Sequence, residues 1–461
     1  MPQEGYYAGD GQVASAVRWT SRQATREKLT PDAGGLLIVL VGLPARGKSF
    51  ISRKVERFLM WKGFKTQSFN VGKYRRELES PSCSGRSSFF DASNTEAKAA
   101  REAAASAALA DALAFLDAGG KSVILDATNS TVVRRQKIQQ QVEAHGKPYA
   151  VIFLEVLCDD VEVLEVNMMN KVKNSPDFAG VPVDAALRDL KDRISKYEEV
   201  YETVQDEEGT YIKLFNMSSK VMAHNCYGRI TRLLLPYLMG IHVGARPIWL
   251  CRAGGGEANS QGSASDLYSP LSSQGKKFSE ELPKFIKERN ERFWAAAGAE
   301  CQPPLVVTST LPRAVASVAN LTCEYEQSSA LNHIDTGAIG TAWWEHECHE
   351  MPAWHLVKER YPDFYERFVQ DPFRCRFPGG ESYSDILARL EGLLLQMEMH
   401  TRPILIVSHV TCLQVLASYF TGSPIEDCWK LPIPRGRVIE VTPSMGGGFC
   451  IDNITLAADS Q

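Results

Sequence analysis

Two α/β domains in tandem, each built on a mostly parallel sheet, are what this chain of 461 residues predicts. Three observations carry that reading. The length exceeds what one hydrophobic core usually holds. Short β-branched runs alternate with helical stretches in both halves, the pattern of parallel α/β sheets. Between the halves, Ile241-His242-Val243-Gly244-Ala245-Arg246-Pro247 reads as a linker. With 44% hydrophobic residues, each half can bury a full core.

Residues 1–34 mix Gly, Ser, Gln and charges without periodicity and are expected to form a mobile extension. The first domain is assigned to residues 35–243. Its strands are predicted at Leu36–Val41, Val123–Leu125 and Tyr149–Leu157. Helices are predicted after Ser49, where Phe50, Ile51, Val55, Phe58 and Leu59 recur at threes and fours, at the Ala-rich stretch Thr95–Leu116, and at Ile230–Leu238. The second domain, residues 244–461, has strand candidates at Ile248–Cys251, Leu305–Ser309 and Ile404–Ser408, separated by helical stretches such as Tyr383–Met399. No internal repeat relates the halves.

Composition excludes several classes. The formal net charge of −4 arises from interleaved signs, without the long basic runs of nucleic-acid binders. Eleven Cys are scattered singly with no CxxC pair, which implies free thiols in a reducing compartment. No apolar run approaches a membrane span, and the N-terminus lacks a charged-then-apolar signal. A soluble, cytoplasmic protein is the expectation.

The chemistry begins at Gly42-Leu43-Pro44-Ala45-Arg46-Gly47-Lys48-Ser49, a complete phosphate-binding loop between an apolar strand and a helix. In such a loop the backbone N–H groups face a nucleotide's phosphates, the Lys ammonium reaches the β and γ oxygens, and the Ser hydroxyl can ligate Mg²⁺. Phosphoryl transfer needs a carboxylate at the end of a neighbouring strand, to order the metal and to take the acceptor's proton. Asp126, closing Val123-Ile124-Leu125-Asp126 and followed by Ala127-Thr128-Asn129, supplies it. No Asn-Lys-x-Asp guanine-reading motif is present. Basic residues recur in short groups: Arg75 and Arg76, Arg101, Arg134 and Arg135, Lys171 and Lys173, and Arg193. Arginine grips phosphate bidentately, so their joint presence points to a phosphorylated acceptor.

These strings, with Phe69-Asn70-Val71-Gly72, Tyr74-Arg75-Arg76-Glu77, Cys158-Asp159-Asp160, Ser175-Pro176-Asp177 and Arg193-Ile194-Ser195, resemble the bifunctional 6-phosphofructo-2-kinase/fructose-2,6-bisphosphatase family over residues 36 to 445. The resemblance implies a P-loop kinase domain followed by a histidine-phosphatase-like α/β domain, and a homodimer using ATP and Mg²⁺. It implies that Gly42 to Ser49 and Asn167 bind ATP, and that Arg75, Arg101, Thr128, Arg134, Arg193 and Tyr197 hold fructose 6-phosphate. It sets Lys48, Asp126 and Cys158 at the reacting centre, with Ser49 and Asp126 on the metal, and makes fructose 2,6-bisphosphate the product. Val172 stands where the family has a substrate-binding Lys. Either Lys171 or Lys173 could substitute, and Lys173 is preferred.

The second half departs from the family. Cys251-Arg252-Ala253-Gly254 follows a strand where the family carries Arg-His-Gly, and that His is the phosphoryl-accepting nucleophile. Alanine has no lone pair to attack phosphorus. Arg252, Asn259, Arg313 and His409 persist as a remnant of the phosphate pocket. Yet Gly340-Thr341 stands in place of the acid expected after Asp335-Thr336-Gly337, and Pro372 replaces a substrate-gripping Lys. The expectation is a kinase with an inactive bisphosphatase half. Alternatives are a P-loop kinase for another sugar phosphate or small metabolite, and a metabolite-sensing scaffold. Glu345-His346-Glu347-Cys348-His349-Glu350 offers metal-ligand types, but its spacing matches no structural zinc pattern and it reads as a solvated helix face.

Overall fold

The structure is a computed structural model that describes Asp32 and residues 34–78, 89, 94–241, 246–256, 269–339, 354–444 and 447–456. The N-terminal extension other than Asp32 and Gly34, residues 242–245 of the linker, Asn259, Gly340-Thr341 and the Glu345–Glu350 run lie outside the described residues. The chain packs as two compact units, one of residues 1–52 with 65–239 and one of residues 53–64 with 240–461. No helix among the described residues is long and apolar enough to cross a membrane.

In chain order the first unit contains β1 (Leu36–Val41), α1 (Lys48–Trp61, whose residues from Arg53 belong to the second unit), β2 (Thr66–Asn70), α2 (Val71–Leu78), α3 (Thr95–Asp117) and β3 (Ser122–Asp126). Then follow α4 (Val132–Ala144), β4 (Ala150–Leu157), α5 (Val161–Asn174), α6 (Val183–Glu198), β5 (Tyr211–Phe215), β6 (Lys220–His224) and α7 (Arg229–Gly240). The sheet order is β2-β3-β1-β4-β5-β6. All pairings are parallel except β5 with β6. All six residues of β1 are buried, as an apolar run covered on both faces requires. The Ala-rich α3 starts where Asn94 accepts the Ala97 N–H at 3.0 Å, an N-cap. It lays Ala104, Ala108, Leu109, Ala112 and Leu116 inward. Because the chain crosses from β3 to β4 on opposite sides of β1, the strand order reverses at β1. That switch point opens a crevice at the carboxyl ends of the strands. The ends of β1, β3 and β4 meet there.

The second unit contains β7 (Ile248–Arg252), α8 (Ser273–Ala297), β8 (Leu305–Thr308), α9 (Pro312–Val318), β9 (Glu326–Gln327), α10 (Trp354–Arg360) and α11 (Pro362–Gln370). After these come α12 (Tyr383–Met399), β10 (Ile404–Ser408), α13 (Val410–Thr421), β11 (Arg437–Ser444) and β12 (Gly448–Thr455). Strand order is β12-β11-β7-β10-β8-β9, parallel from β7 to β9 and closed on the other side by the antiparallel β11–β12 hairpin. Trp249, Cys251, Phe278, Leu282, Val306, Leu405 and Val438 share its core. The described cysteines are free thiols.

Candidate active site

The loop after β1 is shaped by two glycines that no other residue could replace cheaply. Gly42 has φ 140° and a Cβ there would sit 2.5 Å from the Val156 carbonyl oxygen, while Gly47 has φ 90° and lies against the Met217 thioether. The Phe50 and Ile51 N–H groups then bond the Gly47 carbonyl at 3.0 Å and start α1. On its first residue, Lys48 is buried and donates from Nζ to the Leu43 carbonyl at 2.6 Å. Burial first, then the neighbouring Lys171, Arg193 and Arg46, push its ammonium down to about 7 against the pull of Asp126.

Asp126 ends β3 in register with Asn70 at the end of β2. Its Oδ2 accepts from Ser49 Oγ at 2.7 Å and from Asn70 Nδ2 at 2.6 Å. Asn70 had no assigned role in the sequence reading, and only the parallel register reveals it. Next along the chain, the Thr128 carbonyl accepts the Gly42 N–H at 2.9 Å, and Asn129, at φ 41°, donates its amide to the Leu40 carbonyl at 2.8 Å. The loop after β3 is thereby tied to the loop after β1. Among the described residues no group of three or more His, Cys, Asp or Glu side chains forms a metal site. The Ser49 hydroxyl and Asp126 carboxylate instead form a pair of hard oxygen donors at the phosphate loop. That fits Mg²⁺, which takes one or two protein oxygens and completes its shell with phosphate and water.

The arginine cluster is organised by one carboxylate, Asp177. It pairs with Arg75 at 2.7 Å, Arg76 at 3.2 Å and Arg193 at 3.2 Å. Burial alone would raise its carboxyl, but Arg75, Arg193 and Arg76 outweigh that and hold it down at about 2. Arg75 and Arg101 both lie over the Phe89 ring, at 5.8 and 5.9 Å, and Tyr197 packs against Phe89 and Ala97. Arg134 pairs with Glu102 at 3.5 Å. Arg135 is turned fully inward.

Val172 is buried among Ala45, Phe178, Ala186, Leu190 and Ile194, so α5 presents its neighbours in different directions. Lys173 is exposed, whereas Lys171 is brought under the influence of Asp126, Arg193 and Lys48, and burial followed by Arg193 lowers its ammonium to about 8. Of the two lysines, it is Lys171 that lies beside Lys48, Asp126 and Arg193. Cys158, just past β4, is buried, and burial raises its thiol above the ordinary value. Asn167 on α5 carries a buried Nδ2 that makes no hydrogen bond.

In the second unit Ala253 follows β7, is 4% exposed within the core and donates its N–H to the Ser408 carbonyl at 2.8 Å. His409 Nε2 lies 3.0 Å from Ser309 Oγ, with the His333 ring 5.7 Å away. Burial, then Arg313 and Arg252, lower His333 to about 3, and His409 is lowered by burial and by His333. No motif had marked His333. Arg252, Arg313 and His409 are thus gathered at the carboxyl ends of β7, β8 and β10, while Pro372 lies half-buried beyond α11.

The sequence profile described as 6-phosphofructo-2-kinase matches residues 25–245, and that of the histidine phosphatase superfamily (branch 1) matches residues 248–452. The 6-phosphofructo-2-kinase/fructose-2,6-bisphosphatase of Arabidopsis thaliana is 35% identical over 418 residues, 89% of this chain and 53% of that one. The chain thus spans about half the length of that relative. The rat protein 6-phosphofructo-2-kinase/fructose-2,6-bisphosphatase 3 is 34% identical over 92% of this chain and 72% of its own length. That of the frog Aquarana catesbeiana is 35% identical over 88% and 82%. With both profiles in the family's order, and with the phosphate loop, Asp126 and the arginine cluster converging in the first unit, the chain belongs to the 6-phosphofructo-2-kinase/fructose-2,6-bisphosphatase family.

Proposed function

We propose that the chain is an ATP-dependent 6-phosphofructo-2-kinase that phosphorylates the 2-hydroxyl of fructose 6-phosphate, and that its second unit does not hydrolyse the fructose 2,6-bisphosphate formed. One observation carries the first part: Lys48 and Asp126 are buried with the half-buried Lys171 and Arg193 beside them, a cationic pocket whose charges a phosphate-bearing pair of substrates would satisfy. The loop Gly42 to Ser49 orients the nucleotide's phosphates, with Lys48 compensating charge on the migrating group. Mg²⁺, held by Ser49 and Asp126, supplies further neutralisation of the phosphate oxygens when bound. Arg75, Arg101, Arg134 and Arg193, with Thr128 and Tyr197, bind the sugar phosphate, and Asp126 takes the proton from the 2-hydroxyl as its oxygen bonds the γ-phosphorus and the bond to the departing ADP breaks. Asn167 offers its buried amide to the nucleotide.

The second part rests on Ala253, which cannot accept a phosphoryl group. Arg252, Arg313, His333 and His409 support a secondary reading in which this unit holds a sugar phosphate without turning it over. A cytoplasmic homodimer, testable by light scattering and fractionation, completes the proposal. The deciding experiment is a paired assay on one preparation. Mg-ATP and fructose 6-phosphate should yield fructose 2,6-bisphosphate, and added fructose 2,6-bisphosphate should persist. Phosphorylation of a different acceptor only would overturn the kinase assignment, and phosphate release from added bisphosphate would overturn the second.

A further inference from the structure

Among the described residues of the first unit Arg135 is the most deeply buried cation, and no ligand-binding role accounts for it. Its side chain is 0% exposed. The guanidinium donates from Nε to Glu208 Oε2 at 2.6 Å and from NH2 to Glu208 Oε1 at 2.8 Å, a bidentate pair that satisfies the charge. Its remaining donors leave the pair for backbone. NH1 reaches the Asn129 carbonyl at 3.1 Å and the Glu202 carbonyl at 2.9 Å, and NH2 reaches the Thr203 carbonyl at 3.4 Å.

Those carbonyls belong to two loops with different duties. Asn129 sits in the loop after β3 that begins at Asp126 and carries Thr128. Glu202 and Thr203 lie in the segment after α6, the helix of Arg193 and Tyr197. The two loops also touch directly: the Glu202 N–H donates to the Ser130 carbonyl at 2.8 Å, and Glu202 Oε2 accepts the Val132 N–H at 2.7 Å. On its other side Asn129 is held in the left-handed region and bonds the Leu40 carbonyl, two residues before the phosphate loop. A single planar fork therefore fixes the Asp126 loop against the end of α6, and through Asn129 against the nucleotide loop. Lysine, a point donor, can keep the charge on Glu208 but cannot span these carbonyls.

We propose that Arg135, braced by Glu208, is a positioning residue for phosphoryl transfer: it sets the acceptor-binding loop and the nucleotide loop in register, without touching either substrate. Transfer between two bound groups is steeply sensitive to such placement, whereas attack by freely mobile water is not. The proposal rests on the kinase reading above, and its test separates the two. Steady-state transfer to fructose 6-phosphate and acceptor-independent ATP hydrolysis are measured on the full chain for wild type, Arg135→Lys and Glu208→Gln, with thermal melts alongside. The expected result is a ratio of transfer to hydrolysis lowered at least tenfold in Arg135→Lys, carried by kcat more than by either KM. A smaller drop of the same kind is expected in Glu208→Gln, which keeps the fork but weakens its brace. A parallel loss of transfer and hydrolysis, or an unchanged ratio in a folded variant, overturns it. If Arg135→Lys does not fold, the Glu208→Gln ratio decides. If wild type phosphorylates another acceptor instead, the kinase reading fails and the same ratio is taken with that acceptor.

Discussion

Ser49 donates its hydroxyl to Asp126 at 2.7 Å across 77 positions of sequence. The contact exists because β3 pairs with β1 in parallel, so the loop after one strand and the carboxylate closing the other reach the same edge of the sheet. Asp126 is assigned both the metal and the acceptor's proton. Asp126→Asn keeps the hydrogen-bonding shape and loses the charge, so kcat should fall by about 100-fold or more. Ser49→Ala should act more weakly and raise the Mg²⁺ concentration needed for half-maximal rate. Magnesium titrations of both variants check this, and wild-type Mg²⁺ dependence in Ser49→Ala would remove that residue from the metal.

Lys171 and Lys173 provide a contrast on one helix. A charge-assisted hydrogen bond is worth about 1.5–3 kcal/mol, so Lys171→Ala should cost roughly ten- to 100-fold in kcat/KM for the acceptor. Lys173→Ala, a change at an exposed position, should stay within about twofold. Steady-state kinetics on the pair decide between the lysines, and the reverse ranking would favour Lys173.

Lys48 and Lys171 also make a pH prediction. Lys48 at about 7 and Lys171 at about 8 are partly neutral at neutral pH, whereas unfolded lysines titrate near 10.5. The unfolded chain therefore binds more protons than the ligand-free fold between pH 7 and 10.5. Stability should rise with pH through that window, the penalty being greatest below it. Anionic substrates favour the charged forms, so binding should take up roughly one proton near neutrality. Calorimetry in buffers of different ionisation enthalpy measures the uptake, and proton release would contradict it.

Ala253→His tests how far the second unit has diverged. Restoring the nucleophile alone should leave fructose 2,6-bisphosphate hydrolysis close to background, because Gly340-Thr341 and Pro372 still stand where the family has an acid and a lysine. Ala253 lies in the core, so inserting a ring should also cost about 1–3 kcal/mol by overpacking. A melting curve and a hydrolysis assay on the same variant check both, and robust turnover would disprove the wider loss.

Arg75 and Arg193, both paired with Asp177, are the arginines proposed to bind the phosphorylated acceptor. Arg193→Ala should raise the KM for fructose 6-phosphate at least about tenfold and leave that for ATP within about twofold. Equal rises in both would place Arg193 on the nucleotide instead.

By itself the sequence determined the two α/β halves, the phosphate loop, Asp126 and the loss at Ala253. Such features are written in local order: a buried strand such as Leu36–Val41 is continuously apolar, a glycine turn needs its glycines, and a missing imidazole is visible in one letter. The half-polar β2, Thr66–Asn70, and the exposed edge strand β6 carried no comparable signal. Tertiary structure decided what depends on direction and on partners far along the chain. Helix α5 turns Val172 into the core and Lys171 toward Asp126, a rotation of about 100° per residue that no spacing argument could orient without knowing the buried face. Asp177 draws in Arg75 and Arg193 from separate helices, Asn70 meets Asp126 only through strand register, and Arg135, grouped by sequence with the phosphate grips, proves to bind its own loops. Residue type and local pattern identify the chemistry available, but a side chain's role depends on which charges and carbonyls the packed fold brings within a few ångströms of it.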